Sequence, residues 1–143
     1  MNFKKRLVIF LVIILLSSFV SGYCVNPRDG KSVFKTTQFC TQTYQLREGI
    51  SIGRNELTLD CGNAVIQGLF TGKTGITIEN KKNILIKNCI LMNYDVGIHL
   101  INSTNITIQN IALIRNQIGA KVEKSDKNRI INSRDISLKK PVQ

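Results

Sequence analysis

The hexapeptide NITIQN, Asn105 to Asn110, nearly repeats one that begins 22 residues upstream, NILIKN, Asn83 to Asn88. The register holds well beyond the two hexapeptides. Gly75, Gly97 and Gly119 share a column, as do Ile78, Leu100 and Val122, then Ile86, Ile108 and Ile130. Asn88, Asn110 and Asn132 form another column, and Met92, Ile114 and Ile136 a fifth. Three successive units, 75–96, 97–118 and 119–140, align without a gap. A fixed period in this range marks a solenoid, because each unit is too small to bury its own apolar row and does so only by stacking on its neighbours.

Within a unit the apolar spacing is two. Ile76 and Ile78 alternate with Thr77 and Glu79; Ile84 and Ile86, and then Ile106 and Ile108, repeat the pattern. Alternation of β-branched residues predicts strands with one buried face. Stacked at one period, like strands pair in parallel with a rise of about 4.8 Å per coil. No segment after residue 22 carries a helical period of suitable length. Asparagine tolerates the left-handed backbone of a sharp turn. Asn88, Asn110 and Asn132 therefore read as a structural turn ladder, their amides bonding from coil to coil.

A second solenoid competes. Ile108-x-x-Ile111-x-Leu113-x-x-Asn116-x-Ile118 matches a leucine-rich repeat, which would make the chain a recognition domain with appreciable helix. The motif's asparagine should recur, yet its column holds Tyr94 in the first unit and Leu138 in the third. The asparagine two residues after an isoleucine recurs in all three. That regularity favours an all-β chain, a short parallel β-helix with 22-residue coils.

The stretch TQTYQLREGISIGRNELTLDCGNAVIQG, from Thr41 to Gly68, resembles the opening coil of right-handed parallel β-helix proteins with pectate-lyase-like or NosD-like repeats. The resemblance rests on a strand LTLDC (Leu57 to Cys61), a Gly62-Asn63 turn and a second strand AVIQG (Ala64 to Gly68), and it extends over about residues 41 to 133. It implies a right-handed coil. It leaves activity open, because such proteins include lyases, hydrolases, adhesins and assembly factors.

Lys4, Lys5 and Arg6, the apolar run Leu7 to Leu16 and the small-residue exit Val20-Ser21-Gly22 read as an export signal over residues 1–22, cleaved after Gly22. The alternative is an uncleaved anchor, although a spanning helix wants about 20 apolar residues; membrane contact would then run only through residues 1–22. Residues 23–40 form a polar N-terminal cap segment, and the β-helix is expected over 41–140. Export places the protein outside the cell or on its surface.

Of the 20 Lys and Arg, three lie in residues 1–22, which leaves 17 against 9 acidic residues. Seven of the basic residues fall between Lys121 and Lys140. Lys121, Lys124 and Lys127 are the candidate contacts for an acidic glycan or another anionic cell-surface polymer. The plainer reading is a solvated basic face. No aromatic residues interleave with the charges, so a nucleic-acid surface is not expected.

Four cysteines in an oxidising compartment point to disulfides. Cys89 aligns with Ile111 and reads as a buried free thiol packing as a small hydrophobe. At most one bridge is then expected among Cys24, Cys40 and Cys61. Their spacings match no zinc motif, and with His99 the single histidine, neither a metal site nor a cofactor is expected.

Polygalacturonase-like members of this architecture resemble one another in an Asp cluster with a nearby His and an Arg-x-Lys triplet. Here Asp29, Asp60, Asp95, Asp126 and Asp135 are scattered, and the triplet is missing. Glycoside hydrolysis needs two carboxylates about 5–10 Å apart. The one acidic column is Glu79, Ile101, Glu123, whose acids stand two coils, or roughly 9.6 Å, apart with an isoleucine between. No cluster of oxygens suits the calcium of a uronate lyase. Copper, which the NosD-like resemblance implies, would have only His99 and Met92, the latter in an interior column. The sequons at Asn102 and Asn105 arise readily in Asn/Thr-rich turns. The chain reads as a secreted non-catalytic β-helix module that binds glycan or protein, with edge-to-edge self-association through its last coil open. The alternative is a remnant of a carbohydrate-active lyase- or hydrolase-like enzyme.

Overall fold

In the computed structural model, which describes residues 22–137, the alternating segments are strands, and no helix occurs among the described residues. The expected signal segment lies outside the described residues except for Gly22, and so do Lys139, Lys140 and Pro141 at the far end. Five coils of three strands follow one another. The first holds β1 (Ser32–Val33), β2 (Thr37–Gln38) and β3 (Thr43–Gln45), and the second β4 (Ile50–Ile52), β5 (Leu57–Asp60) and β6 (Val65–Gln67). The third holds β7 (Thr74–Glu79), β8 (Lys82–Lys87) and β9 (Ile90–Met92). The fourth holds β10 (Val96–Ile101), β11 (Thr104–Gln109) and β12 (Ala112–Ile114), and the fifth β13 (Ile118–Glu123), β14 (Arg129–Ile131) and β15 (Arg134–Ile136).

Each coil gives one strand to each of three parallel sheets, ordered β1-β4-β7-β10-β13, β2-β5-β8-β11-β14 and β3-β6-β9-β12-β15. Ile86, Ile108 and Ile130 pair in sequence, as do Ile78, Leu100 and Val122. The three-sheet parallel β-helix replaces the leucine-rich-repeat alternative. Parallel pairing also reaches upstream of Thr41, to Val25, so two of the three strands of the first coil lie within the cap segment. Its strands are two or three residues long and carry no repeat that would reveal them.

Ile76, Ile78, Ile84, Ile86, Leu91, Ile98, Leu100, Ile106 and Ile108 fill the interior. Burying each is worth about 1.5–3 kcal/mol, and each column is completed only by the coil above and below. Met92 differs from expectation. In the three-residue strand β9 the period of two turns Leu91 inward and leaves Met92 on the outer side, half-buried. The stacked glycines are there for space. A Cβ on Gly75 would meet the Gly97 carbonyl at 2.7 Å, and one on Gly97 the Gly119 carbonyl at 2.6 Å.

One interior column is polar, and it explains the unmatched asparagine motif. Tyr94 lies inside the coil with its hydroxyl donating to the Leu46 carbonyl at 2.7 Å. Burial raises the phenol above its ordinary range, so it stays a donor. One coil above, Asn116 is fully enclosed; its Oδ1 accepts from the Tyr94 N–H at 3.0 Å and its Nδ2 donates to the Leu91 carbonyl at 3.1 Å. Asn116 thus satisfies backbone groups that a bend in the coil leaves unpaired. Asn116→Ala is expected to cost about 1–3 kcal/mol, because both backbone groups lose their partner. Urea unfolding followed by circular dichroism measures it.

Candidate functional site

A coil with three flat faces must turn three corners, and from the second coil on each corner holds at least one left-handed residue. Asn88, Asn110 and Asn132 stand at the corner between the second and third sheets with φ of 57°, 53° and 48°. Asn110 Nδ2 donates to Asn88 Oδ1 at 3.2 Å, and Asn88 Nδ2 donates to Asp60 Oδ1 at 3.0 Å. Asp60 also accepts from the Gly62 N–H at 2.9 Å and pairs with Lys87 at 3.2 Å. Burial alone would raise its carboxyl, but the bonds from Asn88 and Gly62, together with Lys87, outweigh it and hold the group below the ordinary carboxylate range.

The corner between the first and second sheets carries the basic residues. It is made by two left-handed residues three apart: Asn80 and Asn83 in the third coil, and Asn102 and Asn105 in the fourth. In the fifth coil the same two places are taken by Lys124 (φ 47°) and Lys127 (φ 54°). Asn102 Nδ2 donates to Asn80 Oδ1 and Asn105 Nδ2 to Asn83 Oδ1, both at 2.7 Å. The sequon asparagines are therefore ladder members. The 22-residue alignment contains both columns, but lysine at their last position breaks the pattern that would have drawn attention to them.

Two shallow clefts flank this corner. One, of about 280 Å³, is lined by Asn55, Asn80, Lys81, Lys82, Asn102 and Thr104. The other, of about 370 Å³, includes Thr58, Asn83, Leu85, Asn105 and Thr107, with Glu56 as its acidic member. The structure brings Lys124 and Lys127 to the same corner as Lys81 and Lys82. Lys121 is set apart on the outer face of β13, where it pairs with Glu123 at 2.5 Å. The bond from Lys121 is the main reason that the Glu123 carboxyl sits below its ordinary range, and His99, at 3.5 Å, contributes less. Glu79 and Glu123 register on either side of Ile101, two coils apart.

All four cysteines are bridged, Cys24 to Cys40 and Cys61 to Cys89. This corrects both the free thiol at Cys89 and the expectation of a single bridge. The second and third coils register at offsets of 25–27 residues rather than 22, and at the corner just past the second sheet Cys61 meets Cys89, 28 residues on, with Cα atoms 4.9 Å apart. An alignment at 22 cannot see that contact.

The family profile described as "Periplasmic copper-binding protein (NosD)" matches residues 22–138. The chain belongs to the NosD family. No curated protein and no solved structure matches it. The periplasmic description of the family agrees with an exported chain. The copper of that description calls for thiolate, thioether or imidazole donors. In this NosD-family chain the described residues form no group of three His, Cys, Asp or Glu able to hold a metal, and every thiol is in a disulfide. His99 lies on the first sheet between Thr77 and Lys121, and Met92 lies on the third. The donor set does not fit copper.

The depressed Asp60 carboxyl makes stability depend on pH. Its contribution is fully present above the unfolded-state value of about 4 and is lost as pH falls through the lower folded value. The melting temperature of the wild type should therefore fall more steeply than that of Asp60→Asn below about pH 4. Parallel slopes would mean that the Asn88–Asp60 cap contributes nothing.

Proposed function

We propose that the protein is an exported, non-catalytic β-helix module that binds acidic polysaccharide at the cell surface along the corner carrying Lys81, Lys82, Lys124 and Lys127. One observation carries this reading. Lys124 and Lys127 occupy left-handed positions that the two coils below give to asparagine. A lysine held there costs up to about 1–2 kcal/mol that asparagine largely avoids. Strained residues persist where they serve something other than stability. Here they put two cationic residues at the top of asparagine columns that repeat about every 4.8 Å, next to clefts whose lining includes hydroxyl and amide groups and Lys81 and Lys82. A polymer of uronate or sulfated sugars offers carboxylates, sulfates and hydroxyls to match.

The test separates binding from stability. Lys124→Asn with Lys127→Asn should raise stability by about 0.5–1 kcal/mol while weakening binding to polygalacturonate or heparin about tenfold. Wild-type binding should weaken as salt rises from about 0.05 to about 0.5 M. Variants that lose stability, or that bind these polysaccharides as the wild type does, remove the proposal.

A second reading concerns the last coil. Val122, Ile130 and Ile136 are 46%, 58% and 52% exposed, although the first two continue interior columns, and β13, β14 and β15 have no strand beyond them among the described residues. Open edges of this kind pair with another chain. If they do so here, light scattering detects a dimer that Ile130→Lys converts to monomer; a monomeric wild type at about 0.1 mM removes this reading.

A further inference from the structure

At the opposite end of the solenoid, the first coil leaves a recess of about 450 Å³, within the range of roughly 300–1,000 Å³ typical of small-ligand sites. Its floor is apolar: Phe39 and Ile50 are 2% and 4% exposed, and Val33 packs against the core cluster to which they belong. Phe34 forms one wall. It is 63% exposed, yet it is held in place, because its ring lies so close to Gly53 that a Cβ there would be 2.4 Å away. Val25 also lines the recess, tied to the coil by its N–H to the Gln38 carbonyl at 2.8 Å and by the neighbouring Cys24–Cys40 bridge.

The lining contains Arg28, Lys31 and Lys35 and no acidic residue. None of the three forms an ion pair among the described residues, and residues 1–21 and 138–143 contain no Asp or Glu that could supply one. We propose that this recess binds a long-chain fatty carboxylate, its acyl chain lying against Val25, Val33, Phe34, Phe39 and Ile50 and its carboxylate meeting the three cations. Apolar depth with unpaired charge at the rim is complementary to a single chain with an anionic head. A bilayer surface could not reach Phe39 and Ile50. A second copy would bring like charges together, and the apolar run that precedes Gly22 carries Lys4, Lys5 and Arg6 rather than an acid. The site lies apart from the polysaccharide corner and does not depend on it.

The probe is parinarate, a fluorescent long-chain carboxylate, titrated into the protein recovered from the export compartment of an expressing host, its N-terminus read by mass spectrometry. Saturable one-to-one binding is expected, with palmitate displacing the probe at least tenfold more effectively than hexadecanol. Arg28→Ala/Lys31→Ala/Lys35→Ala should weaken binding at least tenfold with an unchanged circular dichroism spectrum, and Phe34→Ser should weaken it independently. Absence of saturable binding overturns the proposal, and so does equal displacement by the alcohol. Retention on phosphatidylglycerol vesicles without parinarate binding assigns the surface to the membrane instead. Binding that appears only once residues 1–21 are removed assigns the recess to the chain's own N-terminal segment.

Discussion

Hydrogen bonding between successive parallel coils is the constraint on which the rest depends. A parallel ladder sets each residue directly on its equivalent one coil below, so the chain is compelled to repeat itself. Once Ile106 pairs with Ile84 and Ile108 with Ile86, every position between them is committed to a column as well. Small residues then become compulsory where coils approach closely, as at Gly75 and Gly97. Buried polar groups become compulsory where the coil bends and leaves backbone unpaired. Ser103 does inside the first corner what Asn116 does beside Tyr94: its hydroxyl accepts from the Lys81 N–H at 3.1 Å and is within 2.8 Å of the Ile101 carbonyl.

The same constraint decides where chemistry can sit. The interior is filled by columns of mostly aliphatic side chains, a few aromatic rings, the Cys61–Cys89 bridge and a few polar struts. The flat faces present one outward residue in two, and from the second coil on the corners hold left-handed residues. Asparagine meets that demand and links to its counterpart below, so most corners are spent on stability. Positions where another residue type takes the place of asparagine, as Lys124 and Lys127 do, are the ones free to serve recognition. The electrostatics follow the same geometry, since Lys121, one coil face away, pairs with Glu123, whereas Lys124 and Lys127 form no ion pair among the described residues.

How much of this could be read from the sequence follows from how regular each coil is. From Gly75 onward the period of 22 gives strand positions, inward columns and the ladder of Asn88 and Asn110, because pairing and alignment there are the same operation. The second coil departs from that period at every sheet, with offsets of 26, 27 and 25 at Ile50, Leu57 and Val65. The contact of Cys61 with Cys89 was hidden for that reason. Met92 escapes the alignment for a different reason: a shared column says that residues stack, not which side they face, and a three-residue strand is too short for alternation to tell. The recess at the first coil leaves no mark in the repeat because its lining comes from Val25, Phe34, Phe39 and Ile50, which no repeat relates.

Membership in the NosD family and the chain's own donor set point in different directions, and the columns show why a fold does not carry its chemistry with it. In a parallel β-helix a metal site would be assembled from donors on adjacent coils, one above another or across a corner. The column of His99 places Thr77 below and Lys121 above, so a cation beside the imidazole would meet an ammonium group rather than a second donor. Glu123, the one carboxylate near that ring, is engaged by the same lysine. Changing a single outward residue in each of two coils would be enough to create or erase such a site without disturbing one interior contact, because inward and outward positions alternate independently along every strand. Fold and ligand chemistry are therefore separable in this architecture at the level of individual residues, and the ligand must be argued from the columns that this chain displays.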